Sequence, residues 1–339
     1  MNGLKGQIVH LALLGVAAVA AFGVWSRDDS AQVTLKPNEV EVWGGSPDSV
    51  SLLSFDTPTR KLRIEPKKDD SGRYYVGTLE KDEPTSPHPP ASGADAGAPP
   101  PATKHETVRF IGVKAADEMM KSFAPLRALR EIGKIDAARA EEFGFDKPEG
   151  TLKLTLGGKE QSLVIGGLTP GGGERYAKAG SGDVYALPGE VVQNLLFAES
   201  RLTERDLQGF KPDEVTRVKI IKGSKSRDLT RVPNKVEGWA DAATPTKLDE
   251  TAGNWMSKLG RLHVQDWVEK PASAIGPDNL IVSVAYFAGT KQLGTLELYK
   301  LPGEKGNDYF AKSAYGRWYA KVVTSSAEQV EQDAGSIVK

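Results

Sequence analysis

The chain contains no cysteine. That excludes disulfides, Cys-ligated zinc, thiol catalysis, S-acylation and the lipidated N-terminal cysteine of a lipoprotein. Histidine is nearly as scarce. His10, His88, His105 and His263 are the only four, and no HxxxH or HExxH spacing joins any of them, so a zinc site lacks its ligand set. His263 follows a candidate helix and reads as a structural or surface residue. An excess of either charge is missing too. Lys+Arg number 44 and Asp+Glu 45, a net charge of −1, so no global field draws in nucleic acid, and none is expected as a partner.

Motifs for phosphate and nucleophile chemistry are also absent. No stretch fits GxxxxGK[ST], no GxGxxG opens a helix after a strand, and no GxSxG elbow occurs. Gly166 to Gly173 is glycine-rich, but it joins two expected strands and offers no helix N-terminus to an anion. The acidic pairs Asp69-Asp70 and Glu141-Glu142 lack the spaced oxygen ligands and turn glycine of a calcium loop. Paired carboxylates for glycoside hydrolysis need not be near each other in sequence, and 45 acidic residues leave that possibility open without singling out a pair. No catalytic, cofactor-binding or metal-binding residue is therefore assigned, and no cofactor is expected.

Against these absences stands one long apolar run. Ile8 to Trp25 reads IVHLALLGVAAVAAFGVW, with His10 its single weakly polar member. At about 18 residues and roughly 27 Å as a helix it has the minimum length for a membrane span. Lys5 precedes it, Asp28 and Asp29 follow it, and Trp25 suits the headgroup region. The expectation is a single-pass anchor in a bacterial inner membrane, with the N-terminus cytoplasmic and the remainder periplasmic. A cleaved signal peptide is the rival reading, because Ala18-Val19-Ala20 fits the cleavage pattern, although the apolar run continues past it. His10 lies about one turn from the cytoplasmic end, within reach of the interface by snorkelling.

The rest of the chain alternates between strand and helix patterns. Val33 to Leu35, Val40 to Trp43, Val50 to Phe55, Lys61 to Glu65 and Arg73 to Leu79 read as strands. Pro84 to Thr103 is rich in Pro, Ala, Gly and Ser and reads as a surface insertion within one unit. Val108 to Val113 resumes strand character. Ala115 to Ile132 reads as a helix interrupted at Pro125, with Phe123, Leu126, Leu129 and Ile132 at three-residue steps. Thr151 to Leu156 alternates strictly, Gly157-Gly158 turns, and Gln161 to Ile165 returns, which is a strong hairpin signal. Two short strands and a helix from Pro188 to about Phe197 complete this half.

The second half runs through the same order: strands from Val215 and Asp228, a helix over Thr251 to Leu262, the Leu280–Leu298 hairpin, two short strands and a closing helix over Ser325 to Gln332. Arg175-Tyr176-Ala177-Lys178 matches Tyr309-Phe310-Ala311-Lys312, and Gly182 to Ala186 matches Gly316 to Ala320, both offset by 134 residues (309 − 175 = 134 counted from the first pair). The expected fold class is α+β: an N-terminal transmembrane helix followed by two duplicated units of antiparallel hairpins with helices. The expected domains are 1–30 (anchor), 31–207 (first unit, with the insertion at 84–103) and 208–339 (second unit). Trp239, Trp255, Trp267, Trp318 and Tyr319 cluster in the second unit, either as core packing or as a partner- or glycan-binding patch.

The run Phe143-Gly144-Phe145-Asp146-Lys147-Pro148, then Thr151 to Gly157, then Leu163-Val164-Ile165-Gly166 resembles the GLxxP…LxLxG…LxIG core of a bacterial envelope domain family of uncharacterised function. Arg175-Tyr176-Ala177, Val184 to Leu187 and Arg205-Asp206-Leu207 extend the resemblance over most of the chain after the apolar run. Gly144-Phe145 stands where Gly-Leu is commoner, and the Pro-rich insertion departs from the family's compact form. Members of that family carry one N-terminal membrane helix and a repeated α/β ectodomain. They are often encoded beside ABC transporter subunits of the gliding-motility type. The resemblance implies a non-enzymatic, membrane-anchored accessory subunit whose partners are the transporter's permease and ATPase subunits. It carries over no catalytic residue. A binding module for glycan or peptide is the alternative, and a hydrolase with dispersed carboxylates a further one.

Overall fold

Period-two alternation turns most of the chain into strands, because each strand then buries one row of apolar side chains and leaves the other row to water or a second layer. In the computed structural model, residues 39–84, 103–233, 238–271 and 274–338 are described. The first half comprises β1 (Val40–Trp43), β2 (Val50–Asp56), β3 (Arg60–Asp69), β4 (Gly72–Pro84), β5 (Thr103–Gly112), α1 (Lys114–Phe123), β6 (Leu126–Ala128), β7 (Arg130–Lys134), β8 (Gly150–Leu156), β9 (Lys159–Leu168), β10 (Glu174–Ala179), β11 (Asp183–Pro188), α2 (Gly189–Leu196) and α3 (Ala198–Leu202). The second comprises β12 (Arg217–Lys222), β13 (Lys225–Arg231), β14 (Trp239–Asp241), α4 (Glu250–Gly260), β15 (Val264–Val268), β16 (Leu280–Ala288), β17 (Lys291–Gly303), β18 (Gly306–Lys312), β19 (Tyr319–Val322) and α5 (Thr324–Ile337).

Nine strands form one antiparallel sheet in the order β5-β4-β3-β2-β8-β9-β10-β11-β7, and eight form another in the order β14-β13-β12-β16-β17-β18-β19-β15; β1 and β6 make a small third sheet. Leaving β5 aside, the two large sheets have the same order when strands are counted along the chain. A helix enters each at the same point, α1 before β7 and α4 before β15, and each half closes with helix after its last hairpin. The matched tetrapeptides nevertheless pair in different registers. Ala177 lies opposite Tyr185, whereas Ala311 lies opposite Ala320. A slip of one residue sends a side chain to the other face. Tyr185 accordingly packs against the first core, whereas Tyr319 meets Tyr299 edge-on at 6.0 Å.

The α+β expectation does not hold. Strands take 49% of the described residues and helices 22%, in three antiparallel sheets, so the architecture is mainly β. Two features of the chain explain the difference. The hairpins run on through polar sequence, so that β3 and β4 pair over their whole length from Arg60↔Lys81 to Asp69↔Gly72, and β4 and β5 from Tyr75↔Gly112 to Pro84↔Thr103. The long helix expected over Ala115 to Ile132 also stops at Phe123. Pro125 has no N–H to donate and forces its predecessor out of helical backbone, so the chain continues as β6 and β7. Leu126 and Ala128 are buried as alternate residues of a strand, although Leu126 also fits the three-residue helical step. The apolar run at residues 8–25 lies outside the described residues; among those described, no helix is long and apolar enough to cross a membrane.

Residues Glu41–Lys339 form one compact unit with two cores. Under the nine-stranded sheet, Ala116, Met119, Met120 and Phe123 of α1 and Val191, Val192 and Leu195 of α2 pack against Leu53, Leu62, Leu152 and Leu163. The helical residues recur at three- and four-residue steps, which put them on one face. Under the eight-stranded sheet, Trp255 and Leu259 of α4 and Val330, Ala334 and Ile337 of α5 cover Val218, Val284 and Leu298. The second core also takes in Ile111 from β5 and Leu207 from the connecting segment, with Tyr74, Val76 and Val113 packed against it. The β4–β5 end of the first sheet thus closes over the second core.

The glycines of the GLxxP-like and LxIG-like stretches make one contact. Gly144 has φ +71°, and a Cβ there would stand 2.5 Å from the backbone nitrogen of Gly167, while a Cβ on Gly166 would stand 2.3 Å from the carbonyl of Phe143. The Gly167 N–H donates to that same carbonyl at 2.8 Å. Only residues without side chains let these two backbones approach so closely.

Candidate binding site at the junction of the two sheets

The connection between the halves runs through Thr203-Glu204-Arg205-Asp206-Leu207, and Glu204 is 9% exposed. A carboxylate so placed must be hydrogen-bonded to remain charged. One of its oxygens accepts the backbone N–H groups of Arg205 and Asp206, both at 3.0 Å. The other accepts the Tyr315 hydroxyl at 2.7 Å and the Lys114 N–H at 3.4 Å. The main chain of Glu204 is also engaged on both sides. Its N–H donates to the Ile111 carbonyl at 2.7 Å, and its carbonyl accepts the Trp267 indole N–H at 2.8 Å. Arg205 then reaches the Val264 and Gln265 carbonyls, each at 3.2 Å. Two residues therefore join β5 and α1 of the first half to β15 and the β18–β19 loop of the second. Burial, with the neighbouring Glu204 carboxylate, pushes the Tyr315 phenol well above its ordinary value.

A second clamp lies alongside. Arg317 has left-handed backbone, φ +61°, which is costly for a residue with a side chain and persists only where its surroundings hold it. Its guanidinium, with the side chain 8% exposed, makes two 3.1 Å hydrogen bonds to Asp69 and lies 4.7 Å over the Tyr74 ring. Those hydrogen bonds hold the Asp69 carboxyl below the usual carboxylate range.

The third contact borders a cleft. Arg109 on β5 donates to Glu269 just past β15 at 2.8 Å, and its guanidinium lies 4.8 Å over the Trp318 ring. The cleft has a volume of about 640 Å³, within the range of ligand sites. Thr107 and Arg109 form one wall, Asp266 and Glu269 the other, and Trp267 and Trp318 also line it. Trp318 is only 8% exposed and Trp239 only 3%, and with Trp255 and Trp267 they belong to the second core. Tyr319 is half-buried.

The remaining residues considered from sequence lie apart from this junction. His105 bonds Asp82 at 2.9 Å on the exposed side of the β4–β5 hairpin, and His263 is exposed after α4. Glu142 pairs with Arg139 at 2.7 Å. Among the described residues no group of three His, Asp or Glu side chains is placed to hold a metal ion. Glu204, Tyr315 and Arg317 were not singled out from sequence. The only signal was that Glu204 directly precedes the Arg205-Asp206-Leu207 stretch, in which the structure shows Arg205 strapping β15 and Leu207 entering the second core.

The sequence model of a family described as Domain of unknown function (DUF4340) matches residues 113–280. The match begins just after β5 and ends on the first residue of β16, so it crosses the Glu204 junction and takes in part of each sheet. No curated protein and no solved structure matches the chain. The DUF4340 match contains Glu204, Arg205 and Trp267 and excludes Arg109, Tyr315 and Trp318.

Proposed function

We propose that the chain is a non-enzymatic, membrane-anchored accessory subunit of an envelope ABC-type transporter or motility complex, on the extracytoplasmic side of a bacterial inner membrane, with permease and ATPase subunits as its partners. The supporting observation is how the ionisable groups at the junction are used. A general acid or base works best with its pKa near the operating pH. Here the shifts run the other way. Tyr315 is raised by burial and by Glu204, and Asp69 is lowered by Arg317. Groups tuned in this direction hold two sheets together and leave the reactivity of the site low. The transporter context comes from the resemblance of the Gly144, Gly166 and Arg205 stretches to envelope proteins encoded beside such transporters. The test is affinity purification of the tagged full-length protein from detergent-solubilised native membranes, followed by mass spectrometry. Near-stoichiometric permease and ATPase subunits are the expected result. Recovery of the protein alone would refute the proposal.

A further inference from the structure

β5 and β15 are both terminal strands of their sheets, and they face each other across the cleft. The β5 strand has no counterpart in the second half, so the edge it presents there is an addition to the shared strand order. In an antiparallel ladder, both backbone groups of every second residue point away from the paired neighbour. The Ile111 carbonyl accepts from Glu204 and so points away from β4. By that alternation Arg109 and Thr107 also turn their N–H and C=O groups outward, where no strand of the described residues lies. On the opposite wall, the Trp267 N–H donates to the Asp266 carboxylate at 2.8 Å. The protein already shows what such a slot holds. At its inner end the Glu204-Arg205 segment bridges the two strands, giving its N–H to β5 and its guanidinium to β15.

We propose that the outer part of this slot receives an extended segment of a partner polypeptide, which adds as a strand to the β5 edge at Thr107 and Arg109. The mode is strand addition, in which main-chain bonds supply affinity and alternate side chains supply specificity. One row of side chains faces Trp318. Charge selects a neutral or basic segment, since the cleft is lined by Glu106, Asp266 and Glu269 against Arg109 and Lys270, with Glu106 also 3.8 Å from Lys81 and Arg109 engaged with Glu269. That half-exposed ion pair is weak and opens readily for an incoming chain. The proposal goes beyond the accessory-subunit reading: it rests on the strand edges alone, and neither its success nor its failure depends on which complex the protein serves.

The test uses the full-length protein in detergent and a bead library of short synthetic peptides of random sequence. Enriched peptides are expected to alternate apolar and polar residues and to carry Lys or Arg. Methylating the backbone nitrogens of an enriched peptide one at a time should weaken binding about tenfold or more at alternate residues and leave the intervening ones unaffected. Thr107→Pro removes one outward N–H and no ladder bond inside the sheet, and should weaken the same peptides about tenfold with an unchanged circular dichroism spectrum. If that variant loses its fold, the methylation scan alone decides. The proposal is overturned by a library without enriched peptides, a flat methylation scan, or equal binding by folded Thr107→Pro. It is equally overturned if the wild type forms a dimer that Thr107→Pro abolishes, since a second copy would then occupy the edge.

Discussion

Replacing Glu204 with alanine should cost about 3–5 kcal/mol of folding stability, the range for removing one partner of a buried charged network. Three groups bond the carboxylate at 3.0 Å or less: the Tyr315 hydroxyl and the N–H groups of Arg205 and Asp206. Hydrogen bonds to a charged acceptor contribute about 1.5–3 kcal/mol each. Water entering the space left by the side chain recovers part of the sum, which brings the estimate to the lower figure. Glu204→Gln keeps an oxygen for the two backbone amides and should cost only about 1 kcal/mol. Tyr315→Phe alone should cost a similar amount, but in the Glu204→Ala background almost nothing, because the hydroxyl has already lost its acceptor. The assay is urea unfolding followed by tryptophan fluorescence, with Trp267 reporting on the junction through its bond to the Glu204 carbonyl. A loss below about 1 kcal/mol for Glu204→Ala, or strictly additive effects in the double variant, would refute the view that this side chain ties the two halves together.

Two further outcomes are expected. Gly144→Ala places a Cβ 2.5 Å from the Gly167 nitrogen at a φ of +71°, so it should destabilise by about 2 kcal/mol or more; thermal unfolding within error of the wild type would count against the paired-glycine contact. The tyrosines make stability sensitive to alkali. Tyr75 is pushed up to about 12, while an unfolded tyrosine ionises near about 10. A raised native pKa means that the stabilisation is complete below about pH 10 and is lost as pH rises through the native value, because the unfolded chain releases its phenolic proton first. Urea midpoints measured across this window should fall, and Tyr75→Phe should flatten the fall; an unchanged slope in that variant would remove Tyr75 from the explanation.

Much of the strand content was legible because alternation is local. The Thr151–Ile165 hairpin, its two-glycine turn and the buried row Val282, Val284 and Tyr286 follow from period two and from glycine's access to positive φ. The shared order of hairpins and helices could be read for the same reason. The Ala115–Ile132 stretch was read rightly as helix up to Phe123 and misread beyond Pro125, where Leu126, Leu129 and Ile132 fit a three-residue helical step but the chain buries Leu126 and Ala128 at the two-residue step of a strand. The balance of helix and strand was misjudged because β3, β4 and β5 extend through polar residues that carry no apolar period. Their length comes from cross-strand pairing, a long-range property.

The sequence by itself determined the local elements, turns and strand alternation, which are set by neighbours a few residues apart, and it excluded thiol chemistry because it holds no cysteine. Only the tertiary structure decided that Glu204 meets Tyr315 across 111 residues, that Arg317 reaches Asp69 across 248, and that the terminal strands β5 and β15 line one cleft. The physical reason is that burial changes what a polar residue is for. On a solvated loop Glu204 would be one acid among 45. Enclosed between two sheets it must be fully hydrogen-bonded, and the groups that satisfy it hold the halves together.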